Sequence, residues 1–205
     1  MKLLAFDCSG KKVRVFAQNE EKECCIEREG VSGTESLLVV IDEALKSVGL
    51  EVRNVKVFVV GVGPGSWTGS RVCVSTALGL LSAMNAPQIY TFSSFDIVKS
   101  VATRKGVDWD LVVVPAYANF VFSSSVDGTM RCVAKKEVLQ EILNGKISVG
   151  EEGIFEQQEV VAVDFGACVK DVVNKNKSVE VGAIEPIYLK LSQAEEQLQK
   201  KRGEK

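Results

Sequence analysis

Residues 55–71 read Val-Lys-Val-Phe-Val-Val-Gly-Val-Gly-Pro-Gly-Ser-Trp-Thr-Gly-Ser-Arg. The opening run, 55–61, is apolar but for Lys56 and rich in β-branched residues, which suits a strand buried on both faces. The glycines at 61, 63, 65 and 69 then make a tight turn that opens a helix. A turn in that position can present backbone N–H groups to an anion. Three nucleotide and nucleophile motifs are excluded. A Walker A loop needs G-K-[S/T], and no lysine occurs between Lys56 and Lys99. A dinucleotide G-x-G-x-x-G fails because Ser66 stands where the third glycine belongs. A G-x-S-x-G elbow fails on spacing, and no histidine exists to activate Ser66. A structural turn remains, with Arg71 as a candidate anion partner.

The helix that follows is read over 70–85, stopped by Asn85-Ala86-Pro87, and carries no charge from Val72 to Met84. Ser75, Gly79 and Ala83 recur at i, i+4, i+8 with Ser82 beside them, while Val74, Leu78, Leu80 and Leu81 fill much of the rest. A helix apolar nearly all round is expected to be buried all round. Small residues four apart let a second helix backbone come close. The cover is the first helix, a partner chain, or both.

Upstream, 3–7 is a strand ended by Cys8-Ser9-Gly10, and the runs 13–18 and 23–28 form a hairpin around a polar turn. Ser32 and Glu35 have capping-box spacing. Leu37, Leu38, Ile41, Ala44, Leu45 and Val48 then recur at helical spacing, Val40 widens the stripe, Val39 lies off it, and Gly49 closes the helix. Further strands and helices are read at 88–92 and 94–104. Downstream, strands are read at 111–114, 119–126 and 130–134, with Asp127-Gly128 turning the last pair. A helix at 136–143, a strand at 160–164, a helix at 165–174, an extended piece at 187–191 and a charged helix at 192–201 follow. Both halves run strand, hairpin strands, helix, strand, helix. This α/β order predicts two units, 1–104 and 105–205, with a single α/β domain as the alternative.

Composition agrees with a globular chain: 46% apolar and 25% charged among 205 residues. The net charge is 25 − 27 = −2, so no global positive field favours independent nucleic-acid binding. There is no histidine. Ser-His and Cys-His nucleophile pairs, imidazole metal ligands and histidine bases are therefore excluded. Cys8, Cys24, Cys25, Cys73, Cys132 and Cys168 include no C-x-x-C pair, and each reads as a small buried hydrophobe. Asp7 breaks the N-terminal apolar run too early for a secretory segment, and no stretch approaches the roughly 20 apolar residues of a membrane helix. A reduced cytoplasmic protein is expected, with no metal, no cofactor and no membrane contact. Lys200, Lys201, Arg202 and Lys205 form a basic tail interleaved with Glu195, Glu196 and Glu204, which reads as a solvated helix end.

The run 63–71 with 74–79 and 85–87 closely resembles the G-P-G-S-[FW]-T-G-x-R signature of the TsaB (YeaZ) family of tRNA threonylcarbamoyladenosine biosynthesis subunits. Residues 4–9, 34–38 with 41–45, and 185–189 are similar too. The resemblance implies an actin/Hsp70/sugar-kinase-like (ribonuclease H-like) fold of duplicated subdomains, each a mixed five-stranded sheet with flanking helices, the last helix packing back on the first subdomain. Thr34-Glu35-Ser36 stands where the family often has His-Ser-Glu, and Pro115-Ala116-Tyr117 where relatives often have Asp-Ala-Arg.

This degenerate inventory implies a non-catalytic scaffold of the t6A37 complex, with no catalytic residues of its own. It would bind a TsaD-type catalytic subunit through Leu37, Val40, Ile41, Arg71, Val74, Ser75, Leu78 and Gly79. A TsaE-type ATPase and tRNA would join through the complex, and the chain alone would homodimerise. The alternative is an autonomous ATP-dependent enzyme of the same superfold, with Asp7, Ser9, Gly65 and Arg71 as its anion or nucleotide contacts. The absence of histidine argues against the peptidase activity that an older family label suggests.

Overall fold

The computed structural model describes residues 1–30, 32–84 and 87–190. Alternation at Val13, Val15 and Ala17 builds a meander of β1 (Lys2–Asp7), β2 (Lys12–Asn19) and β3 (Lys22–Glu29), antiparallel throughout. β4 (Val57–Gly61) and β5 (Gln88–Phe92) continue in parallel on the other side of β1, giving the order β3-β2-β1-β4-β5. Parallel neighbours need crossovers, supplied by α1 (Gly33–Ser47) and α2 (Trp67–Leu81). α3 (Ser94–Lys105) follows, held by a capping box between Ser93 and Asp96.

The second sheet contains β6 (Leu111–Pro115), β7 (Phe120–Ser125), β8 (Met130–Ala134), β9 (Ser148–Gly150) and β10 (Glu159–Val160), with α4 (Lys135–Leu143) and α5 (Phe165–Lys175). Its order, β10-β9-β6-β7-β8, repeats that of the first sheet when both are traced from their opening strands. This is a duplicated architecture, each half a mixed five-stranded sheet with flanking helices.

Strand alternation sorts the core into layers. Leu4, Phe6, Phe58 and Val60 face one side of the first sheet, under α1 and α2. Leu3, Ala5, Val57 and Val59 face the other, toward α3, α5 and Val112 and Val114 of the second sheet. Leu111 and Val113 face away again, toward Val138 and Ile142 of α4. The sequence of layers is helix, sheet, helix, sheet, helix, with α3 and α5 between the sheets. The chain then returns. Val179 N–H donates to Ile89 O at 2.7 Å and Ile187 N–H to Val62 O at 2.8 Å, so residues 179–188 lie across the first half.

Several expectations need correction. β9 (Ser148–Gly150) has no counterpart in the sequence reading, and of the strand read over 160–164 only residue 160 is in a strand, β10. Ser32 is the N-cap of α1, yet its side chain caps nothing, and the Ser36 hydroxyl donates to Ser32 O at 2.6 Å instead. α2 begins at Trp67, because the Ser66 side chain accepts from Gly69 N–H at 3.2 Å and caps the helix earlier than the apolar pattern indicates. Nor is α2 buried all round, since Ser75, Leu78 and Gly79 are exposed. The helix read over 192–201 and the basic tail lie outside the described residues, as do Asn85 and Ala86.

Candidate functional site: an interdomain cleft and an outer helical face

A cleft of about 940 Å³ separates the halves. Its first wall is built where two turns meet backbone to backbone. Ser66 N–H donates to Ser9 O at 2.6 Å. A Cβ at Gly65 would lie 2.2 Å from Ser9 O, and one at Gly69 would lie 2.0 Å from Cys8 O. Glycine at both positions is therefore a packing requirement. The Gly63-Pro64 peptide is cis, and Ser94 N–H donates to Gly63 O at 2.8 Å, tying the turn to α3.

Asp7 is buried beneath these turns, and its Oδ1 accepts from Ser9 N–H at 3.0 Å. Burial holds its carboxyl above the ordinary carboxylate range, against the opposing pull of the Ser9 hydrogen bonds and of Arg14. Arg14, itself buried, bonds to Glu151 from the opposite half. Lys12 reaches the same carboxylate at 3.2 Å, and Lys11 reaches Glu152 at 2.6 Å. The cations that the first half presents to the cleft are thus met by carboxylates of the second.

The opposing wall is Val114, Pro115, Ala116 and Tyr117. Tyr117 stacks on Phe120 at 5.3 Å, with Lys190 Nζ 3.7 Å above the Tyr117 ring. At the mouth, Tyr188 stacks on Trp67 at 4.0 Å. Arg71 lies 4.6 Å over Trp67 and its Nε donates to Tyr188 Oη at 3.0 Å. Of the candidate anion contacts, the structure brings Asp7, Ser9 and Gly65 together in the cleft. Arg71 is held outside its lining by the aromatic pair.

The outer face of α1 and α2 also departs from expectation. Leu37, Val40, Ile41 and Val74 are buried within the chain itself. Side chains packed against their own sheet cannot form a contact surface without unfolding it, so these four leave the candidate set. Arg71, Ser75, Leu78 and Gly79 remain exposed. Leu38 at 60% and Val39 at 59% exposure, on α1, add to them. Sequence reasoning treated Leu38 as core and set Val39 aside; an apolar residue off the buried stripe was the available signal. Nothing lies within 4 Å of a Cβ built on Gly79.

The family model described as "TsaD: tRNA N6-adenosine threonylcarbamoyltransferase" matches residues 32–103, which hold both outer helices. Solved structures share the architecture: YeaZ from Pseudomonas aeruginosa, and a protein with similarity to peptidase YEAZ from the same organism. Each is 18% identical with a TM-score of 0.71, over 92% of this chain and 99% of the other. A curated relative, tRNA threonylcarbamoyladenosine biosynthesis protein TsaB of Buchnera aphidicola subsp. Baizongia pistaciae, is 27% identical over 97 residues. The match takes in 47% of this chain and 44% of that protein, so the chain spans less than half of the relative's length. The fold class is the duplicated one described above. Within it, the chain is similar to TsaB and YeaZ proteins and, over residues 32–103, to the TsaD family model.

Proposed function

We propose that this chain is a non-catalytic scaffold in tRNA N6-threonylcarbamoyladenosine synthesis, dividing at 104–105 into a partner-binding unit and a supporting unit. Its partner is a TsaD-type catalytic subunit, engaged by the exposed strip of Leu38, Val39, Arg71, Ser75, Leu78 and Gly79. The observation that carries this reading is the outer face of α2, uncharged beyond Arg71 and open at Gly79. A stable contact of this kind buries on the order of 1,600 Å² with an apolar centre. In the absence of the partner the same strip pairs two copies of the chain. A TsaE-type ATPase and tRNA are reached through the complex, in the cytoplasm.

The cleft supports the non-catalytic part. Nucleotide chemistry on this fold calls for phosphate-binding turns from both halves, and the second-half turn is Pro115-Ala116-Tyr117-Ala118-Asn119, without glycine. Glu151 and Glu152 already neutralise the cations opposite it. An autonomous ATP-dependent enzyme is the reading this disfavours.

The test is co-purification with a TsaD-type subunit, with mass measured by light scattering. A heterodimer is expected from the wild type, and at least tenfold weaker binding from Gly79→Leu and from Val39→Arg. Neither substitution touches the core, so circular dichroism should be unchanged. Undiminished binding by both variants, or tRNA modification by the isolated chain, would overturn the proposal.

A further inference from the structure

Cys8 ends β1 and Cys73 lies within α2, 65 positions later, yet their sulfurs are 3.1 Å apart. Cys8 N–H donates to Cys73 Sγ at 3.0 Å, and Cys8 Sγ–H donates to Gly69 O at 3.3 Å. Two glycines close on Cys8. A Cβ at Gly33 would sit 3.0 Å from both Cys8 Cβ and Cys8 Sγ, and one at Gly69 would collide with Cys8 O. Cys24 and Cys25 offer no comparable pair, because consecutive residues of a strand point to opposite faces. Cys168 is engaged by Arg104 and by Ile97 O.

We infer that Cys8 and Cys73 are a redox pair that hydrogen peroxide converts to a disulfide, stapling the turn after β1 to α2. A disulfide needs its sulfurs at about 2.05 Å, so a contraction of roughly 1 Å, within reach of side-chain rotation, completes the bond. The Cys8 thiolate attacks one peroxide oxygen. The O–O bond breaks, water leaves, and Cys8 becomes a sulfenic acid. The Cys73 sulfur then attacks the Cys8 sulfur, the S–O bond breaks, and a second water leaves. Two thiols have lost two protons and two electrons, and one peroxide has become two waters.

The order follows from position. Cys8 adjoins Ser9, which lines the cleft, while Cys73 is wholly enclosed. The contact with Cys8, and then burial, raise the Cys73 thiol well above its ordinary range, so it stays protonated until Cys8 is oxidised. Entry of peroxide waits on local opening of the 8–10 turn, which makes the reaction slower than oxidation of exposed Cys25. The inference does not depend on the proposed function.

The experiment treats the full folded chain with hydrogen peroxide, blocks remaining thiols with a maleimide after denaturation, and maps peptides without reduction. The expected product joins the Cys8 peptide to the Cys73 peptide, two hydrogens lighter than the separate peptides and released by dithiothreitol. The thermal midpoint should rise by roughly 5–10 °C on oxidation, and show no such rise in Cys73→Ser or, should that variant fold poorly, in Cys8→Ser. Complete maleimide labelling of Cys8 and Cys73 after prolonged treatment with peroxide in large excess over the dose that exhausts Cys25 would overturn the inference. So would a linked peptide that forms only after unfolding in urea.

Discussion

The two halves share a strand order and differ in how they join their fourth and fifth strands. In the first half, residues 62–87 connect β4 to β5 through the glycine turn and the whole of α2. In the second, residues 151–158 connect β9 to β10 with no helix. Parallel neighbours ordinarily need a dozen or more residues to cross over, and the shorter link coincides with a pairing of only two residues. The outer face of the second sheet is consequently covered by α4, with Ile154 and Phe155 filling in. Where the duplication kept its helix, the chain gained a face beyond the needs of its own core. Where it lost the helix, it placed Glu151 and Glu152 across the cleft. An exposed helical face and a cleft neutralised from within the chain thus lie at equivalent points of one topology.

The comparison is broken most sharply at Gly69. Alanine there places a methyl against the Cys8 carbonyl and should cost about 3 kcal/mol, whereas Gly153→Ala meets only Val160 Cγ2 at 3.5 Å and should be nearly neutral. Urea unfolding of both variants checks this, and equal losses would mean that the two connections are packed alike. Next is Glu151→Ala, which leaves buried Arg14 with Glu27 at 3.5 Å as its remaining acidic partner. It should destabilise by about 2 kcal/mol, again by urea titration.

A smaller effect, of opposite sign, is expected within α2 itself. Gly79→Ala enters open space and should stabilise the helix by about 0.8 kcal/mol, read as a higher thermal midpoint. One helix would then hold a glycine that cannot be replaced and another that is better replaced. The last effect appears only as a pH slope. The folded-state pKa of Asp7 is raised by burial. The native state therefore holds a proton that the unfolded chain releases near pH 4. Stability associated with Asp7 is complete below that pH and declines as pH rises through the folded value. Asp7→Asn should accordingly be more stable than wild type at neutral pH and equal to it near pH 3, as measured by urea midpoints across that range.

Much of the first half was legible because its elements are long and regular. Val13, Val15 and Ala17 alternate, Leu37, Ile41 and Ala44 keep helical spacing, and Gly49 stops α1 with φ +67°. The second half was harder to read. β9 is three residues long, too few to display a period, and its place beside β6 comes from tertiary pairing. The Ser93–Asp96 box carried a recognisable signal that went unread, while the Ser32–Glu35 spacing promised a cap that the structure replaces with a Ser36 contact. In the cleft, Asp7, Ser9 and Gly65 were anticipated. Arg14 with Glu151, and Trp67 with Tyr188, were not, because contacts spanning more than a hundred residues leave no local pattern. On α1 and α2, Leu37, Val40, Ile41 and Val74 enter the core, while Arg71, Ser75, Leu78 and Gly79 stay exposed. Apolar spacing reports which residues enter the core, and a contact surface is made of the residues left over.

The return of residues 179–188 across the first sheet has a consequence for synthesis. Val62 and Ile89 emerge from the ribosome early, yet their carbonyls are claimed only by Ile187 and Val179, which are translated after the entire second sheet. Until then water must satisfy both carbonyls, so this side of the first sheet is closed only once the second half has been made.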